Sequence, residues 1–129
     1  MTIEQALLTK LLATPALTAL TGQKIYYVKA PQNVIAPYLT YQKISEQVAH
    51  SHQGYSHLKE CRIQFSAFST TYMGAKAINA QIFAALDGLV GMMGGIDVGA
   101  CLQEDEVYMY DAETSLHYCP VDYMITYYD

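Results

Sequence analysis

The sequence predicts an α+β fold: two helices packed on one face of a mainly antiparallel sheet of five to six strands, with a long hairpin arm. Three observations predict it. Residues 58–69 alternate cleanly, with Cys61, Ile63, Phe65 and Ala67 on one side and Glu60, Arg62, Gln64 and Ser66 on the other, the pattern of a half-buried strand. Two segments carry apolar residues at helical spacing: Ile3, Leu7, Leu8, Leu11 and Leu12, then Ala75, Ile78, Ile82, Ala85, Leu86 and Leu89. Between the strand-like runs 38–45 and 58–69 the only break is a histidine-containing stretch with Gly54, so the two runs form a hairpin with an extended tip.

The first helix starts at a capping box, Thr2-Ile3-Glu4-Gln5, in which the Thr2 and Gln5 side chains each satisfy the other's backbone N–H. Thr14-Pro15 restarts the chain as a short helical turn that Gly22 ends. Ile25-Tyr26-Tyr27-Val28 reads as a short strand, and an irregular stretch bracketed by Pro31 and Pro37 follows it. Ser69 or Thr70 can cap the second helix, which runs to about Leu89. Gly91-Met92-Met93-Gly94-Gly95 is a reversing turn, after which Ile96, Val98, Ala100 and Leu102 share the face of a fourth strand that the acids Glu104, Asp105 and Glu106 close. In the last strand, from about Leu116 to Tyr128, one face holds His117, Cys119, Val121, Tyr123, Ile125 and Tyr127; Pro120 within it predicts an edge strand or a bulge.

A chain of 129 residues fits one domain, 1–129. It is 52% hydrophobic and only 15% charged, below the ~25% usual for globular domains, and its twelve tyrosines can bury rings while keeping hydroxyls bonded or wet. Both features suit subunit contacts. A net charge of −5 gives no broad footprint for gripping nucleic acid by its phosphates. Three widely spaced cysteines, Cys61, Cys101 and Cys119, without a CxxC pair, indicate neither a disulfide framework nor a zinc ribbon, and a reducing cytosol is the simplest home. The N-terminus lacks the pattern of a signal peptide, and no apolar run approaches the ~20 residues that span a bilayer, so no membrane association is expected.

His50, His52 and His57 cluster within ten residues, and three imidazoles with a water can hold a zinc-like ion. No Cys, Asp or Glu accompanies them there, so a polar loop is the simpler account, and no metal or other cofactor is expected. Cys61 and Cys119 sit among apolar neighbours, which suits buried thiols better than nucleophiles. The glycine-rich turn lacks the spacing and the Lys of a phosphate loop. Glu104, Asp105 and Glu106 point to alternate sides of an extended chain and read as a solvated strand end. The Met92-Met93 pair fits an exposed contact or a core position equally. With no catalytic constellation, the chain is read as no enzyme; the alternatives kept open are a small α+β ligand-binding module and a metal-dependent enzyme using His50, His52 and His57.

Elements along nearly the whole chain resemble the tail-completion, or tail-to-head joining, proteins of long-tailed bacteriophages and prophages. They are Thr14-Pro15-Ala16-Leu17 with Gly22, Ile25-Tyr26, Ala30-Pro31-Gln32, and Pro37-Tyr38-Leu39-Thr40-Tyr41-Gln42. Further on come Ile63-Gln64-Phe65-Ser66-Ala67-Phe68 with Thr71-Tyr72, Leu86-Asp87-Gly88, Leu102-Gln103-Glu104-Asp105-Glu106, and Tyr110-Asp111 with Val121-Asp122-Tyr123. The chain departs from that family's pattern in having Phe68 where Trp is common and Ser115 where Gly is common. The resemblance implies a structural virion protein, assembled in the host cytoplasm, that forms a hexameric ring of its own copies at the head-proximal end of the tail tube. Such a ring is similar to a tail terminator: it stops tube growth, joins tail tube protein to the head connector or stopper protein, and lets DNA pass through its lumen without sequence-specific binding. Heterologous ring contacts then fall to the hairpin tip (Gln47, Val48, His50, His52, Tyr55, His57), the Pro-bracketed loop (Gln32, Val34, Ile35) and the sheet edge near Pro120.

Overall fold

The computed structural model describes residues 2–51 and 54–128, with the backbone alone for 49–51 and 54–56. The elements are α1 (Ile3–Leu12), α2 (Pro15–Thr21), β1 (Ile25–Tyr27), β2 (Tyr38–Ser51), β3 (Gly54–Ser69), α3 (Tyr72–Leu86), β4 (Gly91–Met93), β5 (Ile96–Glu106), β6 (Met109–Asp111) and β7 (Leu116–Tyr128). One sheet runs in the order β1-β2-β3-β7-β5-β4, with β6 also paired to β7. Only β1 and β2 pair in parallel. The fold is the expected α+β class, with the turn predicted after Thr14-Pro15 grown into a helix of its own.

The capping box at Thr2 forms as predicted, Thr2 Oγ1 accepting from Gln5 N–H and Gln5 Oε1 accepting from Thr2 N–H. The second predicted helix starts later and ends sooner than its apolar stripe suggests: Thr71, two residues past Ser69, accepts from Gly74 N–H as the N-cap, and the helix stops at Leu86. Its stripe still packs inward, with Ala75, Ile78, Ile82 and Leu86 buried and Ala85 and Leu89 partly buried. These meet the inner sheet face, where Leu39, Ile63, Phe65, Val121, Tyr123 and Ile125 are also buried, as one cluster. Since α1 packs against both β1 and β4, the two ends of the strand path, the sheet curls around its helices.

Four sequence expectations are corrected. The strands of the hairpin do not stop at 45 and 58: β2 continues to Ser51 and β3 begins at Gly54, so the supposed extended tip is mostly ladder. Residues 91–95 are not wholly a turn, because Gly91–Met93 pairs with Ile96–Val98 and only Gly94-Gly95 reverses the chain; Met93 is buried and Met92 is 68% exposed. The alternation expected from Ile96 to Leu102 breaks at a bulge between Val98 and Ala100, which turns Cys101 inward and leaves Leu102 55% exposed.

Pro120 lies on neither an edge nor a bulge of its own strand. β7 is central, flanked by β3 and β5, and β6 continues the β5 side. The carbonyl of Pro120 accepts from Val107 N–H (2.9 Å), in the step between β5 and β6. An antiparallel residue aims N–H and C=O the same way, so the donor that proline lacks faces that step, where the ladder is interrupted anyway. There is therefore no sheet edge at Pro120.

Candidate assembly surfaces

Pairing between β3 and β7 ends at Leu58 with Tyr128, so beyond Val48 and Lys59 the β2–β3 hairpin leaves the body as an arm. The register shifts there: Val48 pairs with Lys59 but His50 pairs with Tyr55, leaving three residues of β3 opposite one of β2. His57, exposed and at φ +63°, sits in this bulge. Gln47 and Val48 are exposed at the arm's root. The side chains of His50 and Tyr55, and all of His52, lie outside the described residues, so of the histidine cluster only His57 is placed. Among the described residues no group of three or more His, Cys, Asp or Glu is arranged to hold a metal.

At the arm's base a charged set ties β2 to α1 and β7. Lys43 Nζ lies 3.3 Å from Glu4 Oε1 and 3.1 Å from Glu46 Oε1, and Glu46 also accepts from the Tyr127 hydroxyl. Tyr41 donates to the Glu4 carbonyl at 3.0 Å. Burial works to raise the Glu46 carboxyl, yet the bonds from Tyr127 and Lys43 hold it below the usual carboxylate range. Burial, then the Glu46 contact, pushes the Tyr127 phenol upward. Nothing in the sequence pattern marked this set; the spacing of Lys43 and Glu46 was its only visible sign.

The Pro-bracketed loop folds beside the outer sheet face. Lys24 Nζ donates to the Ile35 carbonyl (2.7 Å), and the Ala36-Pro37 peptide is cis. Gln32 is exposed, Ile35 is 77% exposed, and Val34 is half-buried at the wall of an open groove of about 710 Å³. Tyr38, Phe68, Thr114 and Leu116 also line the groove. Tyr38, Phe68 and Tyr118 stack across three strands, with centroids 4.8 and 5.0 Å apart. Such ring pairs each add about 0.5–1.5 kcal/mol beyond area burial. Tyr38 is pushed up by burial and by Asp111.

Beside the break at Pro120, Tyr108 and His117 are hydrogen-bonded, hydroxyl to Nδ1 at 2.5 Å, and Tyr72 and Tyr110 pack around the pair. Val107, Tyr108, Met109 and Tyr110 form an exposed apolar run that sequence reasoning missed. Glu106, read as part of a solvated strand end, instead accepts from Lys76 and from Asn79 Nδ2, which also donates to the Cys119 carbonyl (3.0 Å). Arg62 and Gln64 satisfy both oxygens of Asp122. Cys61, Cys101 and Cys119 are buried, and burial pushes the Cys61 and Cys101 thiols up to about 12, the direction that suppresses thiolate chemistry.

Ion pairs that join elements, buried thiols and apolar side chains exposed on the flanks suit a protein that works through its surfaces. The model of the family "Tail completion protein gp17" matches residues 5–128, and the chain belongs to that family. It is thus a structural tail-completion protein and not an enzyme. The fold also matches a chain in the virion of a native gene transfer agent particle, with a TM-score of 0.80 and 17% identity over 98% of this chain and 95% of that one. A second solved structure matches with a TM-score of 0.60 and 16% identity over 98% and 93% of the two chains. No curated protein sequence matches.

Proposed function

We propose that residues 1–129 act as one domain that assembles with copies of itself into a hexameric ring on the head-proximal end of the tail tube. The ring stops tube growth and presents a surface to the head connector or stopper protein. Family membership across residues 5–128 supports a tail role, and the observation that carries the assembly reading is the arm. Among the described residues β1 pairs with β2 only from Leu39 to Tyr41, and β7 pairs with β3 no further than Leu58, so the rest of the arm's ladder has no third strand there. An unpaired ladder is a ready template for a neighbour. The arm (Gln47, Val48, His50, His52, Tyr55, His57) and the loop (Gln32, Val34, Ile35) are the proposed contacts to neighbouring copies, tail tube protein and connector. A lumen of net negative subunits would pass DNA without holding it.

Electron microscopy of particles assembled without this protein tests the reading. Tubes of unregulated length and tails separate from heads are expected, with both defects corrected by adding the protein back. Tubes of normal length joined to heads in its absence would overturn it.

A further inference from the structure

Charge is divided along this chain. All seven Lys and Arg fall within residues 1–76, beside three of the twelve acids, for a formal net of +4; residues 77–129 hold the other nine acids and no Lys or Arg, a net of −9. The strand order turns this into a lateral division: β1, β2 and β3 lie together on one side of the sheet and β7, β5, β4 and β6 on the other. Ion pairs consume part of the imbalance, since Arg62 reaches Asp122 and Lys76 reaches Glu106 across the boundary. Among the described residues Lys10, Lys24 and Lys29 have no ion pair, and neither do Asp97, Glu104, Asp105 and Glu113.

Both flanks carry apolar surface next to their unpaired charge. Beside Lys29 stand Tyr27 (45% exposed), Val28 (53%) and Ile35 (77%); next to Glu104 and Asp105 runs the exposed segment from Val107 to Tyr110. Backbone edges add a further asymmetry. The β5 edge is closed by β4, by Gly88 N–H on the Cys101 carbonyl and by Asp87 on Gln103 N–H, whereas β6 has no strand on its outer edge among the described residues. A two-fold contact would place either flank against itself, like charge on like charge; a head-to-tail contact places each against its complement.

We infer that the β1 flank of one copy, with Lys29 and the exposed Tyr27, Val28 and Ile35, docks on the β5–β6 flank of a second copy, with Glu104, Asp105 and the segment Val107–Tyr110. The inference rests on the ring reading and names the two patches that close the ring.

Two variants test it: Lys29→Glu, and Glu104→Lys with Asp105→Lys. All three side chains are exposed, so both variants should keep the wild-type circular dichroism and unfolding midpoint. Light scattering at low salt should show each variant alone associating about tenfold more weakly than wild type, the equivalent of a few exposed charge pairs, while an equimolar mixture regains association. Recovery only on mixing follows because each reversed flank then meets an opposite partner. Carbodiimide cross-linking of light and isotope-labelled wild-type protein should join Lys29 of one copy to Glu104 or Asp105 of another. Wild-type rings indifferent to both reversals would overturn the flank assignment and leave the ring reading standing. Wild-type protein that stays monomeric both in solution and on tail tubes would overturn the ring itself.

Discussion

At Gly74 a Cβ would stand 2.2 Å from Ser69 Oγ and 2.9 Å from Thr71 Oγ1, the oxygen that caps α3. Alanine in a helix interior ordinarily gains about 1 kcal/mol over glycine, but here the methyl displaces the cap and a buried serine. Gly74→Ala should therefore destabilise by about 1–2 kcal/mol in urea unfolding, with Ser69→Ala in the same chain recovering part of the loss. A stabilised Gly74→Ala would show that Ser69 turns aside without cost. Buried protons make a second residue-scale prediction. Burial first, then nearby carboxylates, pushes Cys61, Cys101 and Tyr41 up to about 12, and Tyr123 and Tyr127 are raised too, Tyr123 by burial and then Cys101. In the unfolded chain the same groups titrate at about 8.5 for Cys and about 10 for Tyr. The unfolded state thus loses these protons first, so their contribution is intact below about pH 8.5 and is lost as pH rises toward 12. The urea midpoint should fall steadily above pH 8.5; a midpoint flat to pH 10.5 would contradict this. That Cys61 and Cys119 would be buried was legible from their neighbours, whereas Cys101 was expected on the other face and is turned inward by the bulge between Val98 and Ala100. The partners that raise the thiols, such as Glu46 near Cys61 and Asp87 near Cys101, are distant in sequence and were not legible.

Among the elements, β3 and β7 were readable because one face is buried and the other wetted, which writes a period of two into the sequence from Cys61 to Ala67 and from Cys119 to Tyr127. The arm defeated the same test. Past Val48 the described sheet gives the hairpin no further neighbouring strand and its sequence shows no alternation, so a paired ladder reads as a loop. The bulge at Gly99 in β5 was hidden for a related reason: Ile96, Val98, Ala100 and Leu102 are all apolar, and only the burial of Cys101 shows where the phase changes. Since β7 pairs with β3 no further along the arm than Leu58, the arm should be separable from stability. Replacing residues 49–58 with Asn-Gly, which closes Val48 onto Lys59 by a two-residue turn, should leave the unfolding midpoint within a few degrees of wild type. Head joining and ring assembly should be lost in the same protein. Truncated protein that unfolds normally and still joins heads to tails would remove residues 49–57 from the assembly surface.

For the molecule as a whole, local pattern gave two of the three described helices and the longer strands, but it could not give the order β1-β2-β3-β7-β5-β4, which depends on pairings far apart along the chain. The two ends of that order meet at α1, and here the curl becomes testable. Leu7 is fully buried on the helix that touches both β1 and β4, whereas Leu12, five residues further along the predicted stripe, is 39% exposed. In a curled sheet Leu7 helps to close the core at both ends of the strand path, so Leu7→Ala opens a cavity with little room to collapse. Leu7→Ala should cost about 2–5 kcal/mol, while Leu12→Ala should cost under about 1 kcal/mol because water already reaches its side chain. The comparison also reports on α1 as a unit: if the helix clamps both ends, hydrogen exchange in Leu7→Ala should quicken in β1 and β4 together. Faster exchange confined to one of them would mean that α1 seals a single edge and that the curl is held elsewhere.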